Sequence, residues 1–106
     1  YFQMKGLNYM KVNTYFKSGI ETYIEKGEIY ESDVLGALMR FCRNDWGELS
    51  KEDKIFQYEL LKSENAKKNE RFMGVYNSFD IKFWIMSDYD CTIGTLIITV
   101  LLPEEY

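Results

Sequence analysis

The sequence contains no histidine. The one side chain that titrates near neutral pH without help is therefore missing, and with it the usual general base, Ser-His and Cys-His nucleophile pairs, and His-containing metal sites. Cysteine is scarce as well. Cys42 and Cys91 stand alone with no CxxC spacing, as expected for reduced thiols in a cytosolic protein. The glycines are scattered and form no phosphate-cradling pattern. The single proline, Pro103, follows the last apolar run, where it can stop strand pairing. No basic stripe of the kind that neutralises a phosphate backbone is present, which argues against direct nucleic-acid binding. The longest uncharged run, from Cys91 to Pro103, is too short to span a bilayer, and no N-terminal stretch has the pattern of a signal peptide.

Aromatic residues, by contrast, are abundant. Nine Tyr, seven Phe and two Trp make up 17% of 106 residues, more rings than one small core needs. Tyr in particular serves recognition surfaces, being large and amphipathic at low entropic cost; an aromatic-rich core is the alternative use. The net charge of −4 is unevenly spread. Residues 1–20 carry three lysines and no acid, residues 21–33 carry five acids against Lys26, and residues 80–106 carry five acids against Lys82.

Tyr1-Phe2-Gln3 resembles the end of a viral-protease recognition sequence left by an expression tag, so residues 4–106 are read as one α+β domain. Three runs predict strands at about 71–77, 80–87 and 94–102, each rich in β-branched and aromatic residues and bounded by turn formers. Together they predict a three-stranded antiparallel meander. Two or three helices, at about 18–26, 33–43 and 51–66, are expected to pack on one face of it. Ser18, Ser32 and Ser50 are the expected N-caps. Val34, Leu35, Leu38, Met39 and Cys42 form the expected apolar face of the second helix; Ile55, Phe56 and Leu60 do so in the third. Trp46 and Leu49 read as apolar plugs in a connection turned by Gly47. Residues 4–17 alternate loosely and could be an extended arm, an edge strand, or a cover for the sheet.

The sequence offers no catalytic, cofactor-binding or metal-binding residue. Asp88-Tyr89-Asp90 lacks the remaining oxygen ligands of a calcium loop and reads as an acidic turn. Cys42, on a helical face, reads as buried and inert. The candidate site is instead a partner-binding face. Trp84 and Met86 fall on the side of the second strand opposite Phe83 and Ile85. With helices on one side only, that face stays partly wet, and such patches are rarely left open without use. Phe72, Tyr76, Trp84 and Met86 are the expected apolar contacts, with Asp80, Asp88 and Asp90 as nearby acids.

Three blocks carry a family resemblance: Arg40-Phe41-Cys42-Arg43-Asn44-Asp45-Trp46-Gly47-Glu48-Leu49-Ser50-Lys51-Glu52-Asp53, Lys82-Phe83-Trp84-Ile85-Met86-Ser87 and Val100-Leu101-Leu102-Pro103-Glu104-Glu105-Tyr106. In this order they resemble a family of small proteins from plasmids, phages and integrated elements. These are usually labelled "plasmid-related protein" and sometimes type I restriction endonuclease subunit M. The family often has His where this chain has Phe41, and Gly where it has Asn44. Between Asp90 and Val100 this chain is longer. The resemblance implies a mobile-element origin. It brings no methyltransferase activity, because the cofactor and catalytic motifs are absent from these 106 residues.

Small acidic proteins of mobile elements often block a host defence protein. The expected function is therefore stoichiometric, non-enzymatic inhibition of a CRISPR effector or restriction enzyme by surface occlusion, in the cytoplasm and without a membrane. One alternative is a homodimeric structural or regulatory protein using the same patch. The other is a weak nucleic-acid-binding accessory protein using Lys62, Lys67, Lys68 and Arg71.

Overall fold

Period-two alternation in the last third of the chain produces the predicted meander, and a strand from the opposite end of the chain joins it. The computed structural model describes residues 2–3 and 9–106. In chain order these form β1 (Phe2–Gln3), β2 (Tyr9–Met10), β3 (Val12–Phe16), α1 (Ser18–Glu25), α2 (Glu31–Cys42), α3 (Lys51–Leu60), α4 (Ala66–Asn69), β4 (Phe72–Ser78), β5 (Ile81–Asp90) and β6 (Thr95–Leu101). A 3-10 turn at Pro103–Glu105 follows.

The class is α+β, as expected, but the sheet has four strands and is mixed, in the order β3-β6-β5-β4. β4, β5 and β6 pair antiparallel, while β3 pairs parallel with β6, Val12 opposite Leu96 and Phe16 opposite Val100. The three-stranded antiparallel expectation is corrected by one strand, because residues 12–16 extend the sheet sideways instead of crossing its face. Residues 4–8, which the covering-arm reading also included, lie outside the described residues. β1 and β2 form a separate antiparallel pair; Phe2 and Gln3, read as tag, are its first strand.

Alternation and register divide the sheet into two faces. Phe72, Tyr76, Phe83, Ile85, Leu96, Ile98 and Val100 point to the helices and are buried with Ile20, Val34, Phe41 and Trp46 in one core. The helices lie between β3 and β4 in sequence, and these strands occupy opposite edges, so the helical layer spans the sheet.

Helix ends differ from expectation in instructive ways. Ser50 caps α3 as predicted, its Oγ accepting from the Asp53 N–H at 3.2 Å. Ser18 and Ser32 lie inside α1 and α2, whose N-caps are Lys17 and Tyr30 with no side-chain cap bond. The first turn of α1 is held instead by Glu105. Its carboxylate accepts from the N–H of Gly19 and that of Leu102, both at 2.9 Å, joining the C-terminal turn to the helix start. α3 stops at Leu60, short of the predicted 66, and Asn65 at φ 59° separates it from α4.

Candidate interaction surface

The face of the sheet away from the helices is built by the other set of alternating residues. Val75 lies opposite Trp84, and Met73 opposite Met86, while Leu101 and Thr99 continue the same rows on β6. Trp84, Met86 and Ile97 are half-buried and lie outside the core cluster, whereas Met73 and Val75, also half-buried, pack against it. Tyr106 closes one side of this face, its ring meeting Trp84 edge-on with centroids 5.7 Å apart. Beside it lies an open hollow of about 240 Å³ lined by Lys17, Met86, Ile97, Thr99, Leu101 and Tyr106.

Trp84 and Met86 therefore sit where the sequence placed them. Phe72 and Tyr76 do not. They are 1% and 2% exposed and point into the core. The correction is one of register: Phe72 pairs with Ser87 and Tyr76 with Phe83, so the first-strand residues that accompany Trp84 are Met73 and Val75. The three acids are not a cluster. Asp88 and Asp90 end β5, whereas Asp80 precedes its start, about 30 Å away along a strand of this length. Asp80 lines a separate open hollow of about 420 Å³ with Tyr23, Lys82 and Leu102. Asp88 faces Arg71 at 3.4 Å. Asp90 accepts from the hydroxyl and N–H of Thr92, which hold its carboxyl below the usual carboxylate range.

The sequence misplaced the apolar residues of two helices. Ile55 and Phe56 were expected in the core, but they are 54% and 63% exposed, and α3 buries Gln57 instead. Leu35 and Met39 on α2 are exposed as well, because α2 turns Val34, Ala37 and Phe41 inward. The signal that could have found the inversion is Gln57 itself. Its carboxamide meets Met73 on both sides, Nε2 donating to the Met73 carbonyl at 3.0 Å and Oε1 accepting from its N–H at 2.9 Å.

The Asp45-Trp46-Gly47-Glu48 block continues that closure along β4. The Val75 N–H donates to the Trp46 carbonyl at 3.0 Å, and the Glu48 N–H donates to the Val75 carbonyl at 2.8 Å. Gly47 sits at φ 65°, and a Cβ there would lie 2.1 Å from the Val75 carbonyl oxygen. The Tyr76 hydroxyl donates to the Asp45 carbonyl at 2.8 Å, and the Asp45 carboxylate accepts from the Arg40 guanidinium at 2.8 and 3.2 Å. The Arg40 guanidinium beside Asp45 holds that carboxyl below its ordinary value. Asn77 completes the clasp by donating to Glu48. This block shapes a sheet edge.

Among the ionisable groups, Lys67 has the least ordinary environment. It is 1% exposed, its ammonium donates to Asn44 Oδ1 at 2.6 Å, and it lies over the Phe72 ring at 4.2 Å. Burial lowers its pKa to about 8. Enclosed in this way, Lys67 cannot meet a phosphate backbone, which removes it from the nucleic-acid reading. Cys42 is half-buried with its thiol pushed up by burial, while Cys91 is exposed. Among the described residues no three acids or cysteines come together as a metal site, and no helix is long and apolar enough to cross a membrane.

Geometry thus defines an α+β protein with a helix-free apolar sheet face and one clasped sheet edge. No protein-family model, curated protein or solved structure matches the chain.

Proposed function

We propose that this protein is a non-enzymatic binding protein of a mobile element, and that it inhibits a host defence protein, a CRISPR effector or restriction enzyme, by occupying its surface. The observation that supports this reading is the sheet face carrying Trp84, Met86, Met73, Val75 and Ile97, with Tyr106 at its margin. Half-buried apolar and aromatic residues on a rigid sheet are suited to binding, because little side-chain freedom is lost when a partner covers them. The class of partner comes from the resemblance to mobile-element proteins. Asp88 and Asp90 adjoin the face and would favour encounter with a Lys/Arg-rich nucleic-acid groove, while the apolar residues would hold the complex together.

The experiment is capture from an extract of a host bearing a CRISPR or restriction system, followed by the same capture with Trp84→Ala and Met86→Ala. A defence protein retained by the parent and lost by both variants supports the reading. Retention undiminished by either variant overturns the assigned face. Light scattering of the pure protein decides the homodimer alternative, in which Trp84→Ala would convert a dimer to a monomer.

A further inference from the structure

The two edges of the sheet are treated differently. On β4 the outward peptide groups of Met73 are taken by Gln57, and those of Val75 by Trp46 and Glu48. Among the described residues β3 pairs with β6 alone. The Leu96 N–H donates to the Lys11 carbonyl and the Lys17 N–H donates to the Val100 carbonyl, both at 2.9 Å. In a parallel ladder with Val12 opposite Leu96 and Phe16 opposite Val100, alternate residues face the partner strand. The peptide groups of Val12, Thr14 and Phe16 therefore point away from β6. Among the described residues, no strand, loop or side chain meets them. Between Lys11 and Lys17 this edge has no charge, no proline and no bulge, so its protection lies in the lysine at either end.

We infer that β3 is a docking edge for an extended segment of a partner protein, one with an acidic residue at each end, which adds to the sheet as a fifth strand. The inference rests on the protein-binding reading above and names the kind of segment the partner would present. Charge selects the occupant. Lys11 and Lys17 are both exposed and bracket the strand. A second copy is the obvious competitor. The antiparallel register that uses all of Val12–Phe16 is centred on Thr14 and sets Lys11 against Lys17 of the other copy at both ends. Like charges directly opposite one another on paired strands are destabilising. An Asp or Glu at each of those positions reverses the sign of both contacts. Main-chain bonds would supply affinity, and Asn13 and Tyr15, on the helix-free face, would supply side-chain contacts for alternate residues of the segment.

The probe is a synthetic end-blocked peptide, Glu-Thr-Val-Thr-Val-Thr-Glu, compared with the same peptide carrying Lys at both ends. Amide hydrogen exchange of the intact protein is followed by NMR. With the Glu-ended peptide, exchange is expected to slow at Val12, Thr14 and Phe16. Asn13 and Tyr15, already bonded to β6, should be unaffected. The Lys-ended peptide is expected to bind at least about tenfold more weakly. Thr14→Pro removes an outward N–H and leaves the β6 ladder intact, so it should keep the fold and lose about tenfold in affinity. Should that variant fail to fold, a Glu-ended peptide N-methylated at alternate residues blocks the same bonds from the other side and should lose binding equally.

The inference is overturned by unchanged exchange at millimolar Glu-ended peptide, or by equal binding of the two peptides. Protection that grows with protein concentration alone would overturn it too, by showing that a second copy occupies the edge. Trp84→Ala should leave peptide binding unchanged, so loss of the defence-protein reading and loss of this edge are separate results.

Discussion

The carboxamide of Gln57 faces the peptide group of Met73 and makes both bonds a neighbouring strand would make, one as donor and one as acceptor. A single side chain on α3 thus occupies a strand's position at the margin of β4. This explains why α3 buries a polar residue while Ile55 and Phe56 face outward.

Gln57→Leu leaves the Met73 N–H and carbonyl without partners in a part-buried place. The variant should be destabilised by about 1–3 kcal/mol in thermal or denaturant unfolding. With this stretch of β4 uncovered it should also associate more readily as concentration rises. A loss below about 0.5 kcal/mol would mean that water satisfies Met73 equally well.

Gly47 and Asn44 both adopt left-handed backbone, at φ 65° in each case, and a Cβ on Gly47 would also collide with the Val75 carbonyl. Gly47→Ala should cost about 3 kcal/mol or more, since it adds a collision with the Val75 carbonyl to the backbone strain. Asn44→Gly relieves strain but removes the hydrogen bond to Lys67, so it should be destabilising through Lys67 alone. Chemical denaturation of the two variants, with and without Lys67→Met, separates these causes: the cost of Asn44→Gly should shrink in the Lys67→Met background, and that of Gly47→Ala should not.

Stability should depend on pH through Lys67. Its pKa falls from 10.5 to about 8 on folding, because burial disfavours the charged form. Below about 8 both states carry the proton and the folded state bears the whole cost of burying it. Above that value the folded chain releases a proton that the unfolded chain still holds, so stability rises with pH, by about 1 kcal/mol per unit. Burial raises the Cys42 thiol and the Tyr76 phenol above their ordinary values of 9.0 and 10.0, and these act in the opposite sense at higher pH. The rise should therefore be clearest between pH 8 and 9. Unfolding midpoints across that window should climb for the parent and stay flat for Lys67→Met; a parallel climb in both would assign the effect to another group.

Phe72 and Trp84 were read from the sequence as members of one face, and they provide a direct contrast. Phe72→Ala empties a core position and should cost about 3–5 kcal/mol. Trp84→Ala removes a half-buried ring packed on Tyr106 and should cost about 1 kcal/mol, with the fold intact by circular dichroism. Equal losses would place Trp84 in the core and remove it from the interaction surface.

The strands were legible because β4, β5 and β6 are β-branched and aromatic runs bounded by turn formers, and Trp46 and Leu49 were legible as plugs because large apolar residues beside a turn glycine have few other uses. The antiparallel order of β4, β5 and β6 was legible as well, but their register was not. The two faces of β4 read almost alike, with Phe72 and Tyr76 on one and Met73 and Val75 on the other, and only register says which set joins Trp84. β3 was ambiguous for a related reason: a short edge strand buries too little to impose a clean pattern. Ile55 and Phe56 misled because apolar spacing in α3 outweighed a glutamine whose partners are two backbone atoms far along the chain. Lys67 gave no sign at all, since the rings and the asparagine that enclose it come from distant segments.

β3 and β6 come from opposite ends of the described chain and lie side by side, β3 at the edge of the sheet and β6 inside it. A ribosome must therefore release Leu101 before Val12–Phe16 can find their neighbour, and the entropy of closing so long a loop has to be met in one step. Until then the β4–β5 hairpin can assemble alone, while the leading strand waits as loose polypeptide, open to chaperones and proteases.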